Sequence, residues 1–171
     1  MENFTNDTID TTQLPKFEEV QFSVLDADYW KVTVLNVLVF FLIVGLGLVV
    51  LLFFNRHLFV FSVGISVAYF FFLFLVLVLS RISFKKKGFA FRTHDVLFKH
   101  GIIATNTIII PYNRVQHVAL HEGFISRYFG LAKIEVFTAG GSASDIEIPG
   151  IKKEQAENIK QLLMGKIQKQ L

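Results

Sequence analysis

Two long apolar runs, separated by only three residues, constrain this sequence more than any other feature. Residues 32–54 and 58–79 contain no Asp, Glu, Lys, Arg or His, and Asn55, Arg56 and His57 lie between them. A helix of about 22 residues is about 33 Å long, enough to cross a hydrocarbon core of about 30 Å. A single helix through both runs would place the charge of Arg56 in lipid, at a cost of about 3 kcal/mol or more. We therefore predict two antiparallel transmembrane helices joined by a tight turn.

Two other classes of apolar segment fit the sequence poorly. The core helix of a soluble protein rarely extends beyond about 18 residues without a charge. A cleaved signal peptide begins close to the N-terminus, whereas residues 1–31 are largely polar and acidic. The transmembrane hairpin is the interpretation that we retain.

Basic residues near the ends of the runs predict the orientation of the hairpin. Lys and Arg are frequent directly after the second run, whereas only Arg56 lies in the turn. Because short loops rich in Lys and Arg stay in the cytoplasm, we expect both termini to be cytoplasmic. Tyr29 and Trp30 stand where the first helix enters the headgroup layer, a common position for aromatic rings. The basic residues after the second run are Arg81, Lys85, Lys86, Lys87 and Arg92.

The same five basic residues are candidates for contact with the membrane surface. Anionic lipids attract Lys and Arg that lie close to the end of a transmembrane helix. A specific phosphate or phosphoinositide site is the alternative use of this cluster. We expect orientation and general leaflet contact to be its main roles.

Small residues within the runs allow two helices to approach each other closely. We interpret them as packing contacts inside the hairpin. Asn36 can hydrogen-bond across the two helices or to a second copy of the chain. Because no ionisable residue lies within either run, we favour a structural role for Asn36 over one in transport. The small residues are Gly45, Gly47, Gly64, Ser66 and Ala68.

The rest of the chain divides into an acidic tail and a basic domain. Residues 1–31 contain two lysines and seven acidic residues, and residues 81–171 contain fourteen basic and seven acidic residues. The 171-residue chain has a net charge of +3 and no cysteine, which excludes disulfides and thiolate chemistry. We expect a tail without regular structure up to about residue 25, a basic linker at 80–87 and one small domain at 88–171.

Beyond residue 88 the sequence consists of short β-prone runs separated by turn residues. Residues 152–170 then place apolar side chains at helical spacing among Lys and Glu, which predicts one amphipathic helix. Within the strands, Val115 and His117 are expected on one face and Val118 on the other. A curled antiparallel sheet with a terminal helix over its open end follows. The predicted strands are 89–92, 96–100, 102–110, 115–122, 131–138 and 145–148.

Five short motifs in this order resemble the bacterial membrane-flanked pleckstrin-homology-like family, the YdbS-like proteins. They are KHGII at 99–103, IPYNRVQHV at 110–118, SRYFGLA at 126–132, TAGG at 138–141 and IPGI at 148–151. The resemblance covers approximately residues 24–165. It implies a PH-like split barrel of antiparallel strands capped by a C-terminal helix, attached to a membrane hairpin. It implies neither an enzyme activity nor an established ligand, and the phosphoinositide binding of eukaryotic PH domains is not transferred.

Candidates for chemistry are few. Arg114 and Arg127 are expected to hold loops through backbone carbonyls, with partner or anion binding as the alternative. His117 and His121 would share a strand face with their backbones about 13 Å apart, too far for one metal ion. The Gly- and Ser-rich segment 140–144 can form a backbone anion site, although a hairpin loop explains it better. We expect no catalytic residues, no metal and no cofactor.

These patterns predict a non-enzymatic binding or assembly module on the cytoplasmic face of its membrane, which the resemblance implies is a bacterial inner membrane. The expected partners are the lipid bilayer and either a membrane protein with related PH-like domains or a second copy of this chain. No nucleic-acid partner is expected. The alternative function is a lipid-sensing or lipid-binding domain that acts on anionic lipids through Arg81, Lys85 and their neighbours.

Overall fold

The computed structural model describes residues 17–141 and 145–168. Two long apolar helices are followed by two antiparallel sheets and a C-terminal helix, as expected from the sequence. Short 3-10 turns lie at Phe17–Glu19 and Tyr112–Arg114. The strands are β1 (Ser23–Val24), β2 (Gly88–Phe91), β3 (Asp95–His100), β4 (Asn106–Pro111), β5 (Val115–His121), β6 (Leu131–Thr138) and β7 (Ile146–Lys152). The helices are α1 (Asp28–Phe54), α2 (Arg56–Phe59), α3 (Ser62–Lys86), α4 (Phe124–Tyr128) and α5 (Lys153–Gln168).

The transmembrane hairpin is formed by α1 and α3, of 27 and 25 residues, which are both long and apolar enough to cross a membrane. The second span differs from the prediction at both ends. It begins at Ser62 instead of Leu58, because α2 occupies the connection. It also continues through Lys86, so most of the predicted linker 80–87 is helical. Lys85 and Lys86 lie in its last turn, where cations interact favourably with the helix dipole.

Only part of the predicted small-residue packing is found between the two spans. A Cβ atom on Gly45 would come within 2.8 Å of the Tyr69 hydroxyl, so Gly45 does allow the close approach. The same hydroxyl donates a hydrogen bond of 2.6 Å to the carbonyl oxygen of Phe41. Gly47 and Gly64 face open space, and the prediction that they pack the hairpin is wrong. Ser66 and Ala68 are likewise exposed on α3.

The hairpin is inserted into the domain instead of preceding it. Strand β1 comes before the first span and pairs with β2, which follows the second span. Ser23 lies opposite Phe89, and Leu25, the residue directly after β1, is buried in the core. The domain boundary predicted at residue 88 therefore misses a segment before the spans, and residues 17–25 are not without structure. The predicted tail up to residue 16 lies outside the described residues. Because β1 and β2 are paired, both ends of the hairpin emerge on one side of the membrane.

The strands form two antiparallel sheets that do not close into a barrel. The first has the order β1-β2-β3-β4 and the second the order β5-β6-β7. Their apolar faces and α5 enclose one core, in which each fully buried Leu, Ile or Val contributes about 1.5–3 kcal/mol. Ala156 and Leu163 of α5 are buried there, whereas Leu162 is 46% exposed. The helix caps the sheets as predicted, but its buried apolar face is narrower than the spacing of apolar residues in the sequence indicates.

Irregular backbone explains why three predicted strands differ from the observed ones. Residues 101–105 turn, so β4 begins at Asn106 instead of Ile102. The pairing of β5 with β6 shifts between Val115 and His117, so that Val115 shares its buried side with Val118 instead of His117. Strand β7 continues through Pro149 and Gly150, where two residues lie opposite one of β6 as a β-bulge. Glycine suits this bulge because φ is +66° at Gly150.

Consecutive strands run in opposite directions, so their connections lie alternately at two ends of the domain. We call the end where the spans enter the proximal end; it also holds the turn 101–105, α4 and the start of α5. The distal end holds the β2–β3 turn, the 3-10 turn after β4 and the β6–β7 connection. Two hydrogen bonds join connections at the distal end: Tyr112 N to His94 O, and Ala139 N to Arg114 O. At the proximal end Lys153 N donates to Gly130 O, and Asp26 N donates to Gly150 O.

Candidate membrane-facing site

The candidate site is the junction between the spans and the proximal end of the domain. Trp30 of α1 and Phe84 of α3 lie with ring centroids 6.1 Å apart. The Arg81 guanidinium stacks over the Trp30 ring at 4.8 Å, a cation–π contact. Such aromatic and basic groups mark the depth of the headgroup layer along the two helices.

Two cavities meet at this junction and share Tyr29 and Lys87. The first, of about 270 Å³, lies between the spans and the turn 101–105 and is mostly apolar, with Val76 and Leu79 in its wall. The second, of about 480 Å³, opens between the two unclosed sheets. Tyr29 and Lys87 thus line both a cavity at the hydrocarbon level of the spans and the polar gap between the sheets, and we call these two adjoining cavities the groove.

Lys87 is the cation in this groove that lacks an ion-pair partner among the described residues. Burial lowers the pKa of the Lys87 ammonium, and the charge of Glu147, which lines the second cavity, only partly offsets that effect. Lys133, in the same groove, is neutralised by two carboxylates. The hydrogen bond that its ammonium donates to Glu135 is the main cause that raises the pKa of Lys133, and Glu147 accepts a second one at 3.1 Å. A half-buried ammonium without a carboxylate is suited to binding an anionic group.

The five basic residues predicted as a membrane-surface cluster occupy different environments. Arg81 stacks on Trp30, Lys85 is exposed, and Lys87 lines the groove. The Lys86 ammonium donates a hydrogen bond of 2.5 Å to the carbonyl oxygen of Ile102. Arg92 lies in the β2–β3 turn at the distal end, where its Nε donates a hydrogen bond of 2.6 Å to Asp95. Leaflet contact stays a prediction for Arg81, Lys85, Lys86 and Lys87. The geometry assigns Arg92 a structural role.

Arg114 and Arg127 are both exposed, at opposite ends of the domain. Neither guanidinium makes a hydrogen bond or ion pair with residues 17–141 or 145–168, so the loop-holding role predicted for them is not observed. Arg127 lies in α4, which shares a cavity with Leu35 of the first span. Arg114 lies beside the outer edge of β4. Both side chains are available to a partner.

Comparison with known families agrees with this architecture. The sequence model of the family described as Bacterial PH domain matches residues 11–167. The chain belongs to this family. It is also similar to the UPF0699 transmembrane protein YdbS of Bacillus subtilis, with 26% identity over 82 residues, 48% of this chain. The match covers 50% of that protein's length. No solved structure matches the chain.

In this bacterial PH domain the two histidines of β5 lie in different environments. The His117 ring stacks on Phe137 with centroids 4.2 Å apart, and His121 is exposed on the same strand. The described part of the chain contains no group of three or more His, Asp or Glu residues that could hold a metal ion. The proposed anion site at 140–144 lies partly outside the described residues.

Two features of the bacterial PH domain were not predicted from its sequence. Helix α4 lies in a segment that we assigned to a loop, because five residues are too few to show a helical period. Strand β4 contains the run Ile108 to Ile110. The run predicted a strand, but the sequence did not show that this strand lies at the edge of its sheet. Both features expose apolar side chains and contribute to the proposals below.

Proposed function

We propose that this bacterial PH domain protein is a non-enzymatic binding module on the cytoplasmic face of the bacterial inner membrane. Its binding surface is the outer edge of β4, and its ligand is an extended segment of a second membrane protein. The single observation that supports this assignment is the free edge itself. The first sheet ends at β4, whose outer backbone N–H and C=O groups have no strand partner among the described residues.

The composition of β4 is unusual for a free edge. Natural sheets protect such edges with charges, proline or short length. Strand β4 has six residues with three consecutive isoleucines, and its proline, Pro111, stands only at its last position. The Ile109 side chain is 40% exposed. An added strand would satisfy the backbone groups and cover this side chain, which is the β-augmentation mode of peptide recognition.

The groove beside β4 also indicates the chemistry of the partner. A cavity of about 240 Å³ lies between β4 and the end of β6, with Arg114 in its wall. The free guanidinium is suited to bind a carboxylate in a bidentate manner. We therefore propose an extended partner segment with apolar residues and one acidic side chain. Such a segment can come from a membrane protein with related PH domains or from a second copy of this chain.

Crosslinking of the full-length chain in bacterial membranes tests this proposal. Ile109→Lys is expected to lower the yield of the crosslinked partner by about tenfold, equivalent to about 1.4 kcal/mol, because a charge at the edge opposes strand addition. Leu162→Lys places the same charge on the exposed side of α5 and should leave the yield unchanged. Equal yields for the two variants, or no specific crosslinked protein, would overturn the assignment.

A second candidate function, the binding of one anionic lipid, is favoured by the position of Lys87. The apolar cavity next to Val76 and Leu79 suits an acyl chain, and the adjoining gap between the sheets suits a headgroup. The Lys87 ammonium lies where both cavities meet. A bound phosphate would supply the negative charge that this half-buried ammonium lacks.

Native mass spectrometry of the full-length protein in vesicle-derived membranes tests the lipid candidate. With phosphatidylglycerol present, we expect one retained lipid per chain, and Lys87→Met should reduce its occupancy by about tenfold. Lys85→Met removes an exposed charge nearby and serves as the control. Equal, salt-sensitive losses in both variants would leave only general electrostatic attraction.

A further inference from the structure

The apolar side chains that the domain exposes are concentrated at its proximal end. The three most exposed large apolar side chains of its described residues are Ile103, Phe124 and Tyr128, at 98%, 95% and 86%. Ile103 lies in the turn 101–105, and the other two lie in α4. Both of these connections are proximal. The described residues of the distal connections expose no large apolar side chain to a comparable degree.

This distribution is not that of a domain surrounded by water. Single apolar side chains are common on protein surfaces, but loops at only one end would not collect all of the fully exposed ones by chance. The proximal end is the end from which the two spans leave the domain. The chain therefore presents its exposed apolar residues towards the membrane.

Contacts with the spans indicate how deep these residues lie. Helix α4 packs against α1, and Phe124 and Tyr128 share a cavity of about 570 Å³ with Leu35. Leu35 follows Trp30, the ring that lies under Arg81, by five residues, or about 7.5 Å of helix. Helix α4 is thus level with the first apolar turns of α1.

The turn 101–105 reaches a similar depth beside the other span. Ile102 shares a cavity with Val76 and Leu79, which lie on the hydrocarbon side of Arg81 in α3. The hydrogen bond from the Lys86 ammonium to the carbonyl oxygen of Ile102 holds the turn against this span. Ile103, next in the chain, projects from the turn with almost its whole side chain exposed.

We propose that the turn 101–105 and α4 are two apolar tips that insert into the leaflet on the domain's side of the membrane. They lie in the boundary between headgroups and acyl chains. This is the layer in which interfacial helices bury their apolar faces by about 5–10 Å. Arg127 in α4 extends from this layer to the lipid phosphates, as long basic side chains do at an interface. The domain is then docked on the bilayer at each of its two spans instead of standing above it. This inference concerns the proximal end and does not depend on the partner proposed for β4.

Site-directed spin labelling of the full-length protein in vesicles of phosphatidylcholine and phosphatidylglycerol tests the insertion. The chain has no cysteine, so Ile103→Cys and Phe124→Cys each provide one labelling site, and both side chains are exposed enough to be replaced without disturbing the core. Asn113→Cys labels the distal end as the aqueous control, and Leu35→Cys labels a span as the lipid control. The measurement compares collisions of each label with apolar oxygen and with a polar nickel chelate.

Insertion predicts that labels at 103 and 124 resemble the label at 35. Their nickel accessibility should be about tenfold lower than at 113, because a polar chelate is excluded from the apolar layer. Circular dichroism of each labelled protein verifies that it is folded. Nickel accessibility at 103 and 124 equal to that at 113 would overturn the proposal, and protection at only one of the two positions would overturn docking at both spans.

Discussion

The two ends of the domain are built in different ways. At the distal end polar groups satisfy one another: the Tyr112 hydroxyl donates to Arg92 O at 2.7 Å, and Thr138 N donates to Asp145 Oδ1 at 2.8 Å. At the proximal end the connections expose Ile103 and Phe124 and rest against the spans. The described connections of the distal end thus expose no large apolar side chain to water, whereas the membrane covers those of the proximal end. The difference shows that the hairpin is part of the fold of the domain and more than its attachment.

The largest effect is expected where the proximal end is fixed to α1. Gly150 and Gly130 both have positive φ, +66° and +64°. Replacing either glycine by alanine costs about 1 kcal/mol of stability, because a residue with a Cβ atom is strained in this left-handed backbone conformation. At Gly150, however, the new Cβ would lie 2.4 Å from Cγ of Tyr29, whereas at Gly130 it would meet nothing. We expect Gly150→Ala to lower the free energy of unfolding by about 3 kcal/mol and Gly130→Ala by about 1 kcal/mol, as measured by denaturant unfolding in detergent.

A second substitution sharpens this test. Replacing Tyr29 by Leu in the Gly150→Ala protein should restore part of the lost stability, because it removes the ring that the new methyl group meets. If Gly150→Ala and Gly130→Ala were equally destabilising, the contact between β7 and α1 would contribute nothing, and the proximal end would not be fixed to the span.

A smaller effect is expected at the distal end from the Tyr112 hydroxyl. Tyr112→Phe keeps the buried ring but leaves the Arg92 carbonyl without this donor, which typically costs about 1 kcal/mol. Tyr128→Phe at the proximal end removes a hydroxyl from a side chain that is 86% exposed and should change the free energy of unfolding by less than about 0.5 kcal/mol. Thermal unfolding of both variants provides the comparison; equal losses would contradict a distal end closed by hydrogen bonds.

The sequence predicted the parts of the molecule that have a strong period. Two apolar runs predicted the hairpin. In the predicted strand 131–138, Ile134 and Val136 alternate with Lys133 and Glu135 in the sequence, and they lie on the buried face of β6. The spacing of Ala156 and Leu163 gave α5. In each of these elements, many residues repeat the same choice between apolar and polar environments, so the pattern remains visible in one sequence.

The unpredicted parts are short or depend on distant contacts. Strand β1 has two residues, Ser23 and Val24, and no period can appear in two residues. Pro149 and Gly150 resemble the end of a strand, yet the bulge opposite Lys133 allows β7 to continue. The candidate groove was only partly predictable. The hairpin brings Tyr29 and Lys87, which lie 58 positions apart in the sequence, to the same end of the spans, but the gap between the two sheets depends on contacts between distant strands.

Lys87 gives a pH-dependent test of the proximal groove. Burial lowers the pKa of its ammonium in the folded protein, so the unfolded chain retains the proton at higher pH than the folded chain. The free energy of unfolding should therefore rise as pH increases through the lowered pKa towards the ordinary value, in the alkaline range. Lys87→Met should remove this rise, which we expect to be less than about 1 kcal/mol after solvent screening. Denaturant titrations across alkaline pH measure it, and Lys85→Met controls for the loss of one charge; an unchanged slope in Lys87→Met would exclude a desolvated ammonium.

The smallest effect is expected from the ion pair that joins the start of α5 to the end of β5. The Lys153 ammonium lies 2.9 Å from Glu122, and the hydrogen bond that it donates to this carboxylate raises the pKa of Lys153. A raised pKa means that the contribution is present at neutral pH and is lost as pH rises through the folded value. Because Lys153 is exposed to solvent, Glu122→Gln should lower the free energy of unfolding less than Tyr112→Phe does, and high salt should abolish the difference. A larger, salt-resistant loss would mean that a polar contact stabilises the proximal end, where we attribute stability to the spans and the leaflet.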